Sequence, residues 1–347
     1  MNPVHESQIG RRDFLGAMGA AASIAAASAA SAQGAAEAAA PLKVIDFHNH
    51  YIGPSFKVTA NASSPAQQLV NSNLASPAAL IGSLEVAGVA ARVINTPTAF
   101  LEDADGNVAA GTIVRINDEM AAFVSKNPGK LYGLATVDVF SGETGARELT
   151  RAVKELGLRG VFVESAKKDM LLNAPQARPT LAAAAALGVP VFVHPLTDPQ
   201  LHNRFSKTGP IGMRLARATI NSAALISLLE GGVFDELPQL KVFVTTLALG
   251  GVMLAGGFGD GQRIRKDAPA LTRRHVYIDT MGLHPASVTA AVELLGADHL
   301  LAGTDWPIVV EKDVPGRLQK ALGVAGVDAA GQQMVASGNV LKLLGVG

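Results

Sequence analysis

The stretch that decides the fold is Val44-Ile45-Asp46-Phe47-His48-Asn49-His50-Tyr51. It begins as an apolar run typical of a buried strand and ends in two histidines that one residue separates. Side chains on a strand alternate between its two faces, so His48 and His50 are expected on the same side. Two imidazoles at a strand end can bind a divalent metal ion, although a pair of this kind on its own is more often structural.

Downstream of this stretch, short apolar runs alternate with longer segments of helical periodicity. Such alternation is the pattern of repeated βα units around a parallel sheet. The candidate strands are Lys43–Phe47, Ala91–Asn95, Leu131–Val137, Gly160–Glu164, Val189–Val193, Lys241–Thr245, His275–Asp279 and His299–Ala302. Eight strands of this kind predict an α/β fold of the closed (β/α)8 TIM-barrel class, with no second domain.

The segments between the strands contain the helices that a barrel requires. Helices are predicted over Ser76–Val89, Thr112–Lys126, Gly142–Leu156, Arg178–Leu187 and Ala218–Gly231. Glycine or proline marks the end of each of them. A long insertion, Leu196–Ala216, is expected to shape a pocket. The glycine-rich stretch Gly250–Gly261 is expected to be a flexible loop, with close backbone approach to a ligand as the alternative.

The composition excludes several classes of function. Of the 347 residues, 48% are hydrophobic and 17% are charged, which is enough for a large core. The 29 basic and 29 acidic residues cancel, so no overall field favours nucleic acid or an anionic membrane. Cysteine is absent, which excludes disulfides, thiolate nucleophiles and cysteine-bound zinc. Any metal ion must therefore be bound by histidine and carboxylate side chains.

The N-terminus is expected to act as an export signal. The sequence Gly10-Arg11-Arg12-Asp13-Phe14-Leu15 resembles a twin-arginine motif, and an alanine-rich segment after it ends in Ala30-Ser31-Ala32. We predict a signal peptide over residues 1–32, a flexible leader over 33–40 and the barrel domain over 41–347. The twin-arginine translocation machinery would then export the protein to the periplasm. A membrane-spanning helix is disfavoured because the segment is short and only weakly hydrophobic.

Three predicted strands end in residues that can bind a metal ion. The first ends in His48 and His50, the fifth runs into His194, and the eighth runs into Asp305. Active sites of TIM barrels lie at the C-terminal ends of the strands, so these side chains are expected on one rim. Three imidazoles and one carboxylate suit zinc or another divalent ion.

These motifs resemble the amidohydrolase superfamily. The resemblance is strongest to the amidohydrolase-related branch, which includes aminocarboxymuconate-semialdehyde decarboxylase, resorcylate-type decarboxylases, and some hydratases and lactone hydrolases. It spans Leu42 to Gly345 in the order of the family. The matching segments are Asp46-Phe47-His48-Asn49-His50, Asn117-Asp118-Glu119, Asn127-Pro128, Phe192-Val193-His194-Pro195, Leu237-Pro238-Gln239-Leu240-Lys241, Gly303-Thr304-Asp305-Trp306-Pro307 and Gly338-Asn339-Val340-Leu341-Lys342-Leu343-Leu344-Gly345.

The resemblance implies one divalent metal ion, most often zinc, bound by His48, His50, His194 and Asp305. The ion would activate a water molecule or polarise a substrate oxygen, and Asp305 could accept a proton from that water. The expected function is decarboxylation or hydrolysis of a small cyclic or aromatic carboxylic acid. Relatives in this branch often form dimers, so a homodimer is one option for the assembly.

One position departs from the pattern of the branch. A histidine usually follows the sixth strand, and Thr246 stands there in this chain. A threonine hydroxyl can hydrogen-bond a water molecule but cannot act as a base near neutral pH. Asp305 could transfer the proton instead, or His284 could replace the missing histidine, although His284 could equally be a solvent-facing residue at a helix start. The remaining alternative is a degenerate barrel that binds a metal or small ligand without turnover.

Further side chains are candidates for substrate contact. Glu164 ends the fourth strand and is expected to point toward the same rim, where it could contact substrate or a second metal ion. Tyr51 and Trp306 flank the proposed ligands and would form pocket walls, or would pack within the barrel rim.

Three arginines and two further histidines are also considered. Arg92, Arg159 and Arg263 are candidates for binding a substrate carboxylate. His275 opens the seventh strand and His299 precedes the eighth, on the opposite end of the barrel, so both are expected to be structural.

Overall fold

The structure is a computed structural model, and it describes residues 41–58, 64–102, 108–109, 111–256 and 265–346. The predicted signal peptide and leader lie outside these residues. So do Arg263 and the last part of the glycine-rich stretch, residues 257–261.

Each of the eight predicted strands is present. They span Ile45–His50, Ala91–Asn95, Leu131–Gly133 continued by Ala135–Thr136, Val161–Glu164, Val191–His194, Val242–Val244, Val276–Asp279 and Leu300–Leu301. The third strand is interrupted at Leu134. A short antiparallel hairpin, Ala166–Lys167 with Met170–Leu171, follows the fourth strand.

The strands pair in parallel and close into a barrel. The first three pair in chain order, and the second part of the third strand continues through the fourth to the eighth. Two hydrogen bonds join these groups. Leu134 N–H donates to Ile94 O at 2.9 Å, and Phe47 N–H donates to Ala302 O at 2.8 Å. The predicted (β/α)8 fold is therefore confirmed.

Helices connect the strands. The α-helices are Pro65–Ala75, Pro77–Ala87, Thr112–Ser125, Glu143–Lys154, Arg178–Leu187, Pro199–Phe205, Pro210–Glu230, Val233–Glu236, Leu249–Gly256, Ala268–His275, Pro285–Leu295, Val314–Val324, Ala329–Gln333 and Asn339–Leu344. Single 3-10 turns are Thr98–Phe100, Val139–Ser141, Pro175–Ala177, Ser206–Thr208, Thr246–Ala248 and Ala297–His299, and Met334–Gly338 is a π-helical turn. Four of the five predicted helices agree with these bounds to within two residues at each end.

The insertion after the fifth strand is partly helical. It contains Pro199–Phe205 and the first turns of Pro210–Glu230. The first of these helices begins where the Asp198 carboxylate accepts the Leu201 N–H at 2.8 Å, with Pro199 at the first position. An Asp-Pro pair is a strong signal for the start of a helix.

The glycine-rich stretch was wrongly expected to be a loop in its first part. Leu249–Gly256 is a helix that packs against Pro210–Glu230. A Cβ atom on Gly251 would lie 2.8 Å from Ser222 Cβ. Glycine is thus needed here for close helix packing rather than for a turn.

Aromatic rings fill the inside of the barrel. The ring of Phe243 lies 4.7 Å from that of Phe47 and 4.5 Å from that of Phe192. Phe162 contacts Phe192 at 5.4 Å. Leu343, from the C-terminal helix, joins the same cluster. This apolar layer lies beneath the C-terminal ends of the strands, where the candidate site lies.

Candidate metal centre

A β-bulge in the first strand positions its histidines. The register against the second strand shifts between Asp46 and Asn49. Because of this shift, Phe47 and His48 both contact the rings of Phe192 and Phe243 inside the barrel. Simple alternation would place Phe47 and His48 on opposite faces. Bulges commonly re-aim a side chain next to an active site, and sequence periodicity does not reveal them.

The three predicted histidine ligands lie together. His48, His50 and His194 each offer one nitrogen within 4.8 Å of the others, and all three side chains are buried. The ring centroids of His50 and His194 are 4.7 Å apart, and those of His48 and His50 are 5.2 Å apart. Two strands of the barrel thus bring the imidazoles to one point on the rim, as the sequence predicted.

Hydrogen bonds fix the orientation of two of these rings. His48 Nδ1–H donates to Asp279 Oδ2 at 2.5 Å, and His50 Nδ1–H donates to Asn95 Oδ1 at 2.7 Å. Each ring therefore presents the lone pair of Nε2 to the site. Among the described residues, both Nε2 atoms and His194 Nδ1 are buried without a hydrogen-bond partner.

Asp305 lies against two of these histidines. Its Oδ1 lies 3.1 Å from His50 Nε2 and 3.5 Å from His48 Nε2. These contacts lack hydrogen-bond geometry, and within the described part of the chain Oδ1 is buried without a partner. The backbone at Asp305 has φ of 71° and its N–H donates to His48 O at 2.8 Å. The left-handed conformation thus holds the carboxylate against the histidines.

The electrostatics of the site favour metal binding over protonation at two of the rings. Burial lowers the pKa of His50, and it lowers that of His194 well below its usual value. Burial also acts to lower the pKa of His48, but Asp305 and Asp279 outweigh it and raise that pKa. Burial would raise the pKa of Asp305, whereas His48 and His50 lower it. His50 and His194 are therefore neutral imidazoles beside an ionised Asp305 carboxylate.

Asp279 is a functional residue that the sequence analysis missed. It ends the seventh strand, and it is buried between His48 and Thr246. A carboxylate at the C-terminal end of a barrel strand is a signal that could have identified it. Gly303 makes room for this contact, because a Cβ atom there would lie 2.7 Å from Asp279 Cβ and 3.0 Å from His48 Cβ.

Thr246 has a different role from the one that its alignment suggested. Its backbone N–H donates to Asp279 Oδ1 at 2.7 Å, and its hydroxyl lies 2.5 Å from the same oxygen. Thr246 therefore orients the carboxylate that orients His48. It was expected as a poor substitute for a catalytic histidine.

His284 lies where its second interpretation placed it. The side chain is exposed, and its Nδ1 accepts the Ala286 N–H at 3.3 Å at the start of helix Pro285–Leu295. The structure thus supports a helix cap facing solvent over a replacement base.

Glu164 lies beside His194 at the end of the fourth strand. It pairs in register with His194, and its Oε2 lies 3.6 Å from His194 Nδ1. Burial raises the pKa of Glu164 to about 7. The residue also borders a cavity of about 700 Å³, whose lining includes Thr98, Phe140, Leu196 and Pro199. Part of the insertion after the fifth strand thus shapes the pocket, as expected. The volume suits a small aromatic molecule.

Tyr51 and Trp306 belong to the barrel wall, which is the second of the two predicted alternatives. The Tyr51 ring is 4% exposed and stacks on Phe123 at 4.8 Å. Trp306 is 3% exposed and lies 5.6 Å from the guanidinium of Arg92. The prediction that they form pocket walls is not supported by this burial.

Arg92 was wrongly considered for binding a substrate carboxylate. It is buried, and its guanidinium bonds to Asp46, Asn49 and the Ser83 carbonyl. Thr304 N–H donates to the same Asp46 carboxylate at 3.0 Å. This network joins the first, second and eighth strands behind the ligands. Arg159 is exposed before the fourth strand, at the opposite end of the barrel.

The side chains present fit a divalent metal ion. Each of the three buried imidazoles offers a nitrogen within 4.8 Å of the others, and an unpartnered Asp305 oxygen lies against His48 and His50. An outer set of hydrogen bonds, from Asp279 and Asn95, sets the tautomer of two rings, as is usual for histidines that bind metal.

The chain is similar to known proteins. Residues 45–346 match the family model described as amidohydrolase. The chain is 27% identical over 291 residues to a 2-amino-3-carboxymuconate-6-semialdehyde decarboxylase of Dictyostelium discoideum, covering 80% of this chain and 79% of that protein. It is 27% identical over 224 residues to a gamma-resorcylate decarboxylase of Polaromonas sp., covering 59% of this chain and 68% of that protein.

A solved structure shares the fold. It is a dihydroxybenzoic acid decarboxylase of Polaromonas sp. with bound manganese and the inhibitor 2-nitroresorcinol. The TM-score is 0.71 at 20% sequence identity, and the match covers 88% of this chain and 97% of the other.

Proposed function

The chain belongs to the amidohydrolase family of metal-dependent enzymes, and from this premise we propose that it decarboxylates small aromatic carboxylic acids. The observation that carries the proposal is the buried group of unpartnered ligand atoms on His48, His50, His194 and Asp305. The names of the two relatives support decarboxylation over hydrolysis.

One divalent ion would be held by the three histidines and Asp305. Nitrogen and carboxylate donors of this kind suit zinc and manganese alike. We retain zinc as the expected ion, with manganese as the alternative that the solved decarboxylase suggests. Competition between the two ions, followed by elemental analysis of the purified protein, distinguishes them.

The reaction breaks the bond between a ring carbon and its carboxylate, releases carbon dioxide, and leaves a proton on that ring carbon. A bound divalent ion would supply Lewis acidity toward a substrate oxygen. We propose that Asp305 takes up this proton from solvent and passes it to the ring carbon, because its carboxylate lies against His48 and His50 in the site. The apolar rings of Phe162 and Phe192 beneath the histidines exclude water from this side.

The alternative of a barrel without turnover is no longer supported by a specific observation. That alternative depended on Thr246 in place of a histidine. Thr246 instead holds Asp279, which in turn holds His48. The two relatives are named as enzymes.

The proposal is tested with 2,6-dihydroxybenzoate labelled with ¹³C at its carboxylate, beside a panel of lactones. The expected products are labelled carbon dioxide and resorcinol. Ring opening of a lactone without carbon dioxide release would indicate a hydrolase instead. No reaction in either assay by the metal-loaded protein would support a barrel that binds without turnover.

We also propose export by the twin-arginine machinery to the periplasm and assembly as a homodimer. Export is supported by Arg11 and Arg12 before the alanine-rich segment that ends at Ala32. Replacing both arginines by lysine should retain the protein in the cytoplasm, and light scattering measures the assembly. Within the described residues, no helix is long and apolar enough to span a membrane.

A further inference from the structure

Arg217 is a cation near the metal centre that the sequence analysis did not single out. It lies on helix Pro210–Glu230, which follows the fifth strand and runs back along the barrel from the rim that carries His194. The side chain is half-buried. Its position relative to the rim follows from Asn221, which lies on the same helix.

Asn221 fixes this helix at the strand ends. Its Nδ2 donates to Val193 O at 3.0 Å and to Ser165 Oγ at 3.1 Å. Its Oδ1 accepts the Thr245 hydroxyl at 2.9 Å. These partners lie at the C-terminal ends of the fourth, fifth and sixth strands. Asn221 therefore marks the level of the rim.

Arg217 lies one turn before Asn221. Residues four apart lie on the same helix face, and helical side chains lean toward the N-terminus. The helix runs away from the rim, so Arg217, which comes before Asn221, lies above the rim. It lies on the same helix face as Asn221, which faces the strands. By this geometry the guanidinium is expected at the mouth of the site.

The charge of Arg217 acts on three groups of the site. Burial raises the pKa of Glu164, and Arg217 counters that rise. Burial and the neighbouring His50 lower the pKa of His194, and Arg217 adds to this effect. At Asp305, where burial acts to raise the pKa, Arg217 joins His48 and His50 in lowering it.

No acidic side chain among the described residues forms an ion pair with Arg217, and no hydrogen bond joins it to another described residue. Two other cations of the barrel are engaged. Arg92 is paired with Asp46 in the barrel wall, and Lys167 Nζ lies 2.5 Å from Asp138 Oδ2. A half-buried guanidinium without an acidic partner is suited to an anionic ligand.

We infer that Arg217 binds the carboxylate of the substrate and so restricts the pocket to aromatic acids. The inference rests on the proposed function, since it concerns the same site. Arginine holds a carboxylate through a planar fork of N–H donors, which fixes the direction of the acid as well as its charge. Arg217 is thus a residue that determines specificity, distinct from the metal ligands.

The test compares two ligands that differ by one group. Calorimetry measures the binding of 2,6-dihydroxybenzoate and of resorcinol, which lacks the carboxylate, to manganese-loaded protein. Arg217→Gln should weaken binding of the acid by about 10- to 100-fold, because a charge-assisted contact is lost. Binding of resorcinol should change by less than about threefold, since it makes no such contact. Arg217→Lys should lie between wild type and Arg217→Gln for the acid.

Arg214→Gln is the matched control. Arg214 is on the same helix but is exposed, so its loss should alter binding of the acid by less than about twofold. Metal content and melting temperature of each variant establish that the centre is intact. In turnover, KM for the acid should rise more than kcat falls in Arg217→Gln.

Three results would overturn the inference. They are equal weakening of both ligands in Arg217→Gln, unchanged binding of the acid in that variant, and no binding of the acid to wild type. The proposed function is tested separately by carbon dioxide release. Binding that depends on Arg217 without any release would contradict decarboxylation while leaving the role of Arg217 in place.

Discussion

Thr246 holds the buried carboxylate of Asp279 behind the candidate metal centre. The Thr246 backbone N–H donates to Asp279 Oδ1 at 2.7 Å, and the other oxygen of that carboxylate accepts His48 Nδ1–H at 2.5 Å. A chain of contacts thus leads from the sixth strand through the seventh to the first. Thr246, which stands where the branch usually has a histidine, thus stabilises the orientation of His48.

Replacing Asp279 should weaken metal binding. Asp279→Asn should lower the affinity for manganese by about 10- to 100-fold, because carboxylates that orient metal-binding histidines have effects of this size. Thr246→Val should act in the same direction through loss of the hydroxyl, and Thr246→Ser should retain the affinity. Titration with manganese, followed by electron paramagnetic resonance, measures it. Wild-type affinity in Asp279→Asn would exclude this role.

Thr246→His tests the two interpretations of this position against each other. A larger side chain disrupts the hydrogen bonds from Thr246 to the Asp279 carboxylate. We therefore expect loss of metal affinity and no gain in turnover. If a histidine here were the missing base, the variant would instead release carbon dioxide faster than wild type. The rate and the metal content are measured on the same sample.

The ligand set predicts which single variants lose the ion. His194→Ala and Asp305→Ala should each abolish stoichiometric metal binding, since each removes one of the atoms that face the site. Elemental analysis after gel filtration measures the metal per chain. Full occupancy in either variant would mean that the ligands are wrongly assigned.

His284→Ala serves as a histidine control with its own prediction. The exposed ring caps a helix, so the variant should keep its metal and its turnover. It should lose about 0.5 to 1 kcal/mol of unfolding free energy as the cost of a lost cap. A fall in kcat of about 100-fold or more would instead identify His284 as the general base.

Arg92→Met should destabilise the fold strongly. The substitution leaves Asp46 buried without its cation, and breaking such a pair costs about 3 to 5 kcal/mol. Arg159→Gln, at an exposed position, should change the unfolding free energy by less than about 0.5 kcal/mol. Urea denaturation measures both. Similar small effects in the two variants would contradict the structural role of Arg92.

The pH dependence of stability has a contribution from His275. Its Nδ1–H donates to Leu240 O at 2.6 Å and its ring stacks on Phe234 at 4.4 Å, and burial lowers its pKa. Between the folded and unfolded pKa values the unfolded chain binds more protons, so the free energy of unfolding falls as pH drops below about 6.5.

The matched variant for this effect is His275→Phe. Metal-free His275→Phe should lose less unfolding free energy than the metal-free wild type between pH 7 and pH 5, because the phenyl ring cannot take up a proton. Urea denaturation across this pH range measures the difference. Equal slopes for the two proteins would show that His275 has no such effect.

The sequence predicted the parts of this molecule that depend on periodicity. Each of the eight strands and the convergence of His48, His50 and His194 followed from apolar runs and from what stands at their ends. His275 and His299 were expected to be structural, and their rings do bond to backbone carbonyls.

What periodicity does not encode had to come from the structure. The bulge at Asp46 to Asn49 depends on strand register. The roles of Thr246 and Asp279 depend on contacts between strands that are far apart in the chain. Arg217 lies within a segment expected to be the border of an insertion, and only the helix that contains it directs it to the site.

The central claim is that one bound divalent ion makes this barrel a decarboxylase, and it is tested by measuring carbon dioxide release against metal occupancy. Metal-free protein is titrated with manganese, and release from 2,6-dihydroxybenzoate is followed at each step. We predict a rate that is zero without metal, rises in proportion to occupancy, and levels off at one equivalent per chain. Release by the metal-free protein, or none at full occupancy, would contradict it.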